Sequence, residues 1–301
     1  MGIENLDQGT IEADRTEQHP DRDLPDVSGD IARELRLPYG ETGNRKLTLD
    51  LFTPRNQPSL PRPAIIFLHG GSWWKGNPSQ FHFHAGYLAS RYGFFAVSVD
   101  YRLSPEAPFP AALQDAKGAV RWIKKNSSRY NIDTKRIAVC GGSAGAHLSS
   151  MILTTAGTPE YEGSSGNDEY GSDVTLGILF NGEFDMWDLV ARGSLMEPMR
   201  VFMGGTPQEV PDRYTELSSI NRIHPGVPPV LLLHGTEDTC VPHEQSIAFH
   251  KKLAAVGIHS EIEIYNGKPH AWFNNEPDRT ITMKRMERFL VEQFDLNGNA
   301  L

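Results

Sequence analysis

The stretch "RIAVCGGSAGAHLSS", Arg136 to Ser150, sets a short apolar run against a helix-forming run, with two glycines and a serine at the join. The apolar run ending at Cys140 suits a buried strand, and residues 144–156 suit a helix. A serine on so tight a strand-to-helix turn is forced into strained backbone geometry. Only small neighbours, here Gly141, Gly142, Ala144 and Gly145, let the two elements approach while the hydroxyl projects. The helix N-terminus that follows presents backbone N–H groups beside that hydroxyl, ready to hold a developing negative charge. The competing reading is a glycine-rich loop with an incidental serine, or a phosphate cradle. Against the cradle, no Gly-Lys-[Ser/Thr] follows and no Gly-x-Gly-x-x-Gly is present.

Outward from this turn, the chain alternates short apolar runs with longer helical ones. The runs "AIIFLH" (64–69), "FFAVSVD" (94–100), "RIAVC" (136–140), "LGILF" (176–180), "VLLLH" (230–234) and "EIEIY" (261–265) read as strands buried on both faces. Helices are expected near 79–91, 109–127, 144–156, 243–257 and 277–294. Alternation of this kind predicts an α/β fold, a mostly parallel central sheet with helices on both faces. "ARELRLPY" and "KLTLDLFTP" are expected to pair as an antiparallel edge. Residues 181–229, rich in Met, Pro and Gly, form the one connection too long for a simple crossover. They are expected to build a small cap over the carboxyl ends of the strands, where open α/β sheets place ligands. The domain expectation is thus an acidic N-terminal extension, 1–30, and one catalytic domain, 31–301.

A chain of 301 residues can bury a core large enough to need no disulfide or structural metal. The net charge of -9 is mostly local, because residues 1–30 carry nine acidic residues against Arg15 and Arg22. The body is nearly neutral and has no basic stripe, which argues against a nucleic-acid partner. The acidic extension is expected to be disordered at its outer end, or else to fold over the mouth of the site as a partial lid. No apolar run reaches the ~18 residues of a membrane span. The polar N-terminus has no secretory pattern, and Cys140 and Cys240 have no metal-ligand spacing, so a cytoplasmic location is expected unless a leader was removed. Buried free thiols are the preferred reading of the two cysteines, with a disulfide between their loops as the alternative. Oligomeric state is open.

A serine hydroxyl needs a base and the base an orienting acid, in the chain order Ser, then Asp or Glu, then His. The loop "GTEDTCVP" after the strand 230–234 offers Asp238, with Glu237 as the fallback. Of the histidines beyond it, His243 and His250 fall on a predicted helix and His259 opens the last strand. His270, on the loop after that strand, is the expected base. The segment "HGGSWWKG" after the strand 64–69 supplies a second set of backbone donors. Gly71, Ser72 and Ala144 are therefore assigned as oxyanion-holding N–H groups, with Gly70 shaping the turn. Trp73, Trp74 and Trp272 either wall an acyl or sugar pocket or pack in the core. Asn181, Glu183 and Asp185 either contact a polar alcohol group or fix the cap. His82 and His84, two apart on a helix, do not share a face for a metal. No metal and no cofactor are expected, and the expected partner is a small-molecule or carbohydrate ester.

Together these residues resemble the α/β-hydrolase esterases. "SVDYRLSPEAPFPAALQDA" (98–116) is similar to the equivalent stretch of hormone-sensitive-lipase-like carboxylesterases, while "PPVLLLHGTEDTCVPHEQSIAFHKKLAAVG" and "KPHAWF" look like the bacterial acetyl-xylan and feruloyl esterase group. The likeness covers about 40–301. "HGGSW" in place of His-Gly-Gly-Gly, and the acid loop "HGTEDTCVP" in place of an Asp-Pro-Leu type segment, favour the second group and weigh against a large N-terminal helical cap. The resemblance implies a serine carboxylesterase for short acyl esters, acetyl or feruloyl groups on xylan-type carbohydrates among them. Kynurenine formamidases of this fold share a Trp-containing "HGG" loop, which leaves an arylformamidase as the alternative. A hydrolase-fold binding protein without chemistry is a second one.

Overall fold

A computed structural model describes residues 30–43, 45–56 and 59–296. The acidic extension and its proposed lid therefore lie outside the described residues, apart from Asp30. Eight strands form one sheet: β1 (Ile31–Thr42), β2 (Arg45–Pro54), β3 (Arg62–Leu68), β4 (Phe95–Asp100), β5 (Ile132–Gly142), β6 (Leu176–Phe180), β7 (Val230–Gly235) and β8 (Ser260–Tyr265), in the order β1-β2-β4-β3-β5-β6-β7-β8. The β1–β2 and β2–β4 pairs are antiparallel and all others parallel. The principal helices are α1 (His82–Tyr92), α2 (Ala111–Lys125), α3 (Ala144–Thr155), α4 (Met186–Arg192), α5 (Met196–Met203), α6 (Pro211–Leu217), α7 (Glu244–Ala255) and α8 (Asp278–Phe294).

Side chains alternate across a strand, so each central strand feeds two cores. In β3, Ala64, Ile66 and Leu68 enter one buried cluster while Ile65 and Phe67 enter the other. β7 divides likewise, Val230 and Leu232 against Leu231 and Leu233. Fully burying one such side chain contributes roughly 1.5–3 kcal/mol, which explains why the central strands read as unbroken apolar runs. The exception is "EIEIY". β8 is one of the two edge strands and half-buried throughout, so its alternating glutamates reflect a strand covered less completely than expected. The first helix starts later than expected, because a single 3-10 turn at Pro78–Phe81 precedes it.

Register brings the carboxyl ends of the strands level: Leu68 pairs with Gly141, Gly142 with Phe180, and Phe180 with Leu233. The loops after β3, β5, β6, β7 and β8 therefore leave the sheet at one end. The segment 181–229 carries α4, α5 and α6, and among the contacts that tie it to that end Phe109 N–H donates to the Phe202 carbonyl, 2.9 Å, and His147 Nε2 donates to the Leu217 carbonyl, 2.9 Å. Among the described residues no helix is long and apolar enough to cross a membrane.

Two enclosed histidines set an acid limit on the fold. Burial, helped by the Arg279 charge and opposed by Glu276, pushes the His84 imidazole down to about 3. Burial likewise pushes His147 down to about 4, against the hydrogen bond to Leu217. Between the ordinary histidine value of about 6.5 and these values the unfolded chain binds protons that the folded one refuses. Stability is thus present above about pH 6.5 and lost as the pH falls toward 4. Glu183, raised to about 7 by burial, works in the opposite direction down to its ordinary value, but one group does not offset two. Urea unfolding at pH 7, 5 and 4 should give a falling free energy, by a few kcal/mol in total. The double substitution His84→Leu with His147→Gln should abolish that fall and leave the opposite, shallower trend of Glu183 between pH 7 and 5.

Candidate active site

Ser143 joins β5 to α3 in a conformation few side chains adopt, with φ 52° and ψ −126°. Such geometry costs on the order of 1–3 kcal/mol and persists only where surrounding packing enforces it. Here the Ser143 N–H donates to the Phe180 carbonyl of the neighbouring strand, 2.9 Å. At Gly145 an added Cβ would lie 1.9 Å from the Leu68 carbonyl oxygen, and at Gly142 2.6 Å from the Phe273 ring. The small residues therefore let α3 and the Phe273 ring press against the strand ends, with the hydroxyl at the apex. Ser143 retains 7% exposure.

His270 and Asp238 meet the serine from the loops after β8 and β7. His270 Nε2 lies 3.0 Å from Ser143 Oγ, and His270 Nδ1 lies 2.6 Å from Asp238 Oδ2. The carboxylate is enclosed and fully used. Oδ1 accepts the N–H groups of Cys240 and Val241 at 2.9 and 2.8 Å, and Oδ2 also takes His234 Nε2 at 3.2 Å. Burial opposes ionisation, yet the hydrogen bonds from His234 and His270, the charge on His270 and the Val241 N–H hold Asp238 well below the usual carboxylate range. The fallback, Glu237, is exposed and directs its backbone N–H to the Lys268 carbonyl. Of the other downstream histidines, His250 Nδ1 meets Ser260 Oγ at 2.8 Å, His259 meets Glu261 and His243 meets Glu244.

Two supporting groups, His234 and Gln80, were not foreseen, and Asn181, expected at a polar alcohol group or in fixing the cap, lies against His270. His234 reads in the sequence as the end of a strand, but its Nε2 also reaches the Val241 carbonyl at 2.9 Å and so carries the proton it shares with Asp238. The spacing His234 to Asp238 across a strand end was the available signal. Asn181 Nδ2 sits 3.4 Å from both ring nitrogens of His270. Gln80 Oε1 accepts the Gly70 N–H at 2.6 Å. Nothing local in the sequence announces either of these contacts.

The loop after β3 turns through three successive positive φ angles, Gly71 118°, Ser72 55° and Trp73 59°. Gly71 is needed there, since a Cβ would fall 2.1 Å from the Lys75 carbonyl oxygen. The Trp74 and Lys75 N–H groups close the turn on the Gly71 carbonyl, both at 3.0 Å. A Cβ on Gly70 would come within 3.3 Å of Ser143 Cβ, so the loop that holds Gly71 and Ser72 lies beside the serine and the Ala144 end of α3. Trp73 turns inward. It is fully buried, donates Nε1–H to His147 Nδ1 at 3.1 Å and stacks on Phe202 at 4.7 Å. Trp272, 4% exposed, packs against Tyr265 and Phe180. Both are core residues, the second of the two readings given for them, and neither walls a pocket. Trp74 alone of the three is half-exposed.

Glu183 lies at the serine, its Oε1 3.1 Å from Ser143 Oγ. Asp185 caps α4 by accepting the N–H groups of Trp187 and Asp188, the fixing role that was one of its two readings. Cys140 and Cys240 are free thiols. Cys240 is exposed, however, because the tight Asp238 turn pushes it outward, so only Cys140 fits the expected burial. Donor atoms of Asp238, Cys240 and His270 come within 4.8 Å of one another, but two of the three are already joined by the Asp238–His270 hydrogen bond.

The family model described as BD-FAE matches residues 49–253, and that of the Dienelactone hydrolase family matches residues 211–299. Esterase LipC of Mycobacterium tuberculosis is 31% identical over 225 residues, 73% of this chain and 55% of its own length. The chain spans about half the length of the curated relatives it matches. Among solved structures, a truncated carbohydrate esterase from gut microbiota superposes with a TM-score of 0.78 at 28% identity, covering 87% of this chain and 96% of that one. A propionate-bound thermophilic esterase of Thermogutta terrifontis superposes with a TM-score of 0.73 at 29% identity, covering 89% and 96%.

Proposed function

The chain belongs to the BD-FAE family and has the α/β-hydrolase fold, and from that premise we propose that it is a serine carboxylesterase for short-chain acyl esters. The observation that carries this reading is the unbroken line of contacts from Asp238 Oδ2 through His270 to Ser143 Oγ, 2.6 and 3.0 Å. His270 Nε2 takes the hydroxyl proton as Ser143 Oγ bonds to the ester carbonyl carbon. Asp238 holds the ring with its proton on Nδ1 and offsets the charge that forms. The tetrahedral oxyanion is received by the N–H groups of Gly71, Ser72 and Ala144, each worth roughly 3 kcal/mol of barrier. His270 then protonates the leaving alcohol, and water repeats the sequence to free the acid.

A short acyl group is supported by the likeness to the propionate-bound esterase, and a carbohydrate alcohol by the likeness to the carbohydrate esterase. The half-exposed Trp74, next to the oxyanion loop, offers a ring face for a sugar. Residues 31–301 act as one catalytic domain, with 181–229 as its cap. A fluorophosphonate probe should label Ser143. In a panel of p-nitrophenyl acetate, acetylated xylan, methyl ferulate and N-formylkynurenine, the acetate esters should give the highest kcat/KM. Preference for N-formylkynurenine would shift the assignment to an arylformamidase, and absence of labelling would leave a binding protein.

A further inference from the structure

Glu183 occupies a place where a carboxylate is costly. Its side chain is fully enclosed, Oε1 lies 3.1 Å from Ser143 Oγ, and Oε2 is buried with no hydrogen-bond partner among the described residues. Ser143 Oγ has one proton to donate and two oxygen or nitrogen neighbours that would accept it, Glu183 Oε1 and His270 Nε2. Were both bare acceptors, one contact would set lone pair against lone pair. A hydrogen on Glu183 Oε1 removes the conflict. The carboxyl then donates to the serine oxygen, the serine donates to His270, and His270 donates to Asp238, giving one directed chain. The neutral form also leaves only a carbonyl oxygen unpartnered, a smaller cost than an unmet buried charge.

We propose that Glu183 is a further catalytic residue that works in its protonated form, donating to Ser143 Oγ in the resting enzyme and again when that oxygen leaves the acyl-enzyme. The proposal rests on the serine-esterase reading above. During deacylation, water gives its proton to His270 Nε2 as its oxygen bonds to the acyl carbon. The carbon–Oγ bond then breaks and Nε2 returns the proton to Oγ. Glu183 keeps its own proton throughout and lends a hydrogen bond to the departing oxygen. Ionised, it does the reverse: the carboxylate draws the serine proton away from His270 and sets a negative charge beside the oxyanion.

The surroundings favour the neutral form below neutrality. Burial pushes the Glu183 carboxyl up to about 7, with Asp238 adding to the rise, while the His270 charge and hydrogen bonds from its own backbone N–H and Ser143 oppose it. Asp238 and Cys240 face it from the loop after β7 and His270 from the loop after β8. On its own segment Asp185 is occupied in capping α4. On α3, His147 is kept neutral by burial down to about 4.

Glu183→Gln keeps the shape and a donor but cannot ionise, whereas Glu183→Leu removes the donor. Wild-type kcat for p-nitrophenyl acetate should decline above about pH 7, while the profile of E183Q, whatever its absolute rate, should lack that alkaline limb. E183L should lose about 10²-fold in kcat with KM little changed, and should release a burst of nitrophenol as deacylation slows. An infrared difference titration of wild type against E183Q, from about pH 5 to about pH 9, should show a neutral carboxyl band disappearing near 7. This measurement reads the proton even if E183L fails to fold. An unchanged alkaline limb in E183Q, or a missing carboxyl band, overturns the proposal while a labelled, active wild type keeps the esterase reading. A wild type that no fluorophosphonate labels removes both.

Discussion

Ser143→Ala should lower the hydrolysis of p-nitrophenyl acetate by about 10⁴- to 10⁶-fold, with the fold intact. The range has a physical origin. With the nucleophile gone, the N–H groups of Gly71, Ser72 and Ala144 still receive a developing oxyanion, and such groups alone can retain about 10³-fold over water. The backbone at position 143 is held by Phe180, through the 2.9 Å bond to its carbonyl, so an alanine is forced into the same φ of 52°. What it loses is the hydroxyl between His270 and Glu183. Fluorophosphonate labelling should vanish while thermal unfolding monitored by circular dichroism shifts by only a few degrees, about what 1 kcal/mol produces in a domain of this size. Activity within tenfold of wild type would show that another group attacks the ester.

Asp238→Asn is the second large effect, a loss of about 10⁴-fold in kcat with KM nearly constant. The two backbone N–H groups of Cys240 and Val241, at 2.9 and 2.8 Å from Oδ1, decide how the amide turns. Its oxygen must face them, so its NH₂ faces His270 Nδ1 and His234 Nε2. Two donors then confront each other at Nδ1, and the imidazole is driven to carry its proton on Nε2, toward Ser143, where it cannot accept another. Steady-state kinetics separating kcat from KM test this directly. A drop confined to KM would mean that Asp238 acts on substrate binding and not on the base.

The strands and the serine turn were legible because each depends on near neighbours in the chain, whereas Asp238 and His270 were singled out from the chain order that such a fold uses. Apolar runs mark doubly buried strands, and glycine at 141, 142 and 145 marks close approach whichever strand lies across. The two adjacent tryptophans mark where this kind of reading ends. Trp73 and Trp74 share their sequence context, but the left-handed turn at Ser72 and Trp73 sends one ring into the core and leaves the other at the surface. Glu183 is a similar case. "FNGEFDMW" shows a carboxyl just past a strand, but its contact with Ser143 spans 40 residues and arises only when β5 and β6 lie side by side. The contact of the Asn181 amide with His270, 89 residues away, is equally a product of tertiary packing.

The inward ring of Trp73 has a kinetic meaning. By stacking on Phe202 and holding His147, it fixes the loop of Gly71 and Ser72 by the largest side chain available, and its carbonyl is in turn held by the Ser104 N–H at 2.7 Å. On the proposed esterase reading, the N–H groups assigned to the oxyanion are then set before any ester arrives, so little ordering entropy is spent on the way to the barrier. Acetate esters that differ only in their alcohol should share nearly one activation entropy and differ mainly in activation enthalpy.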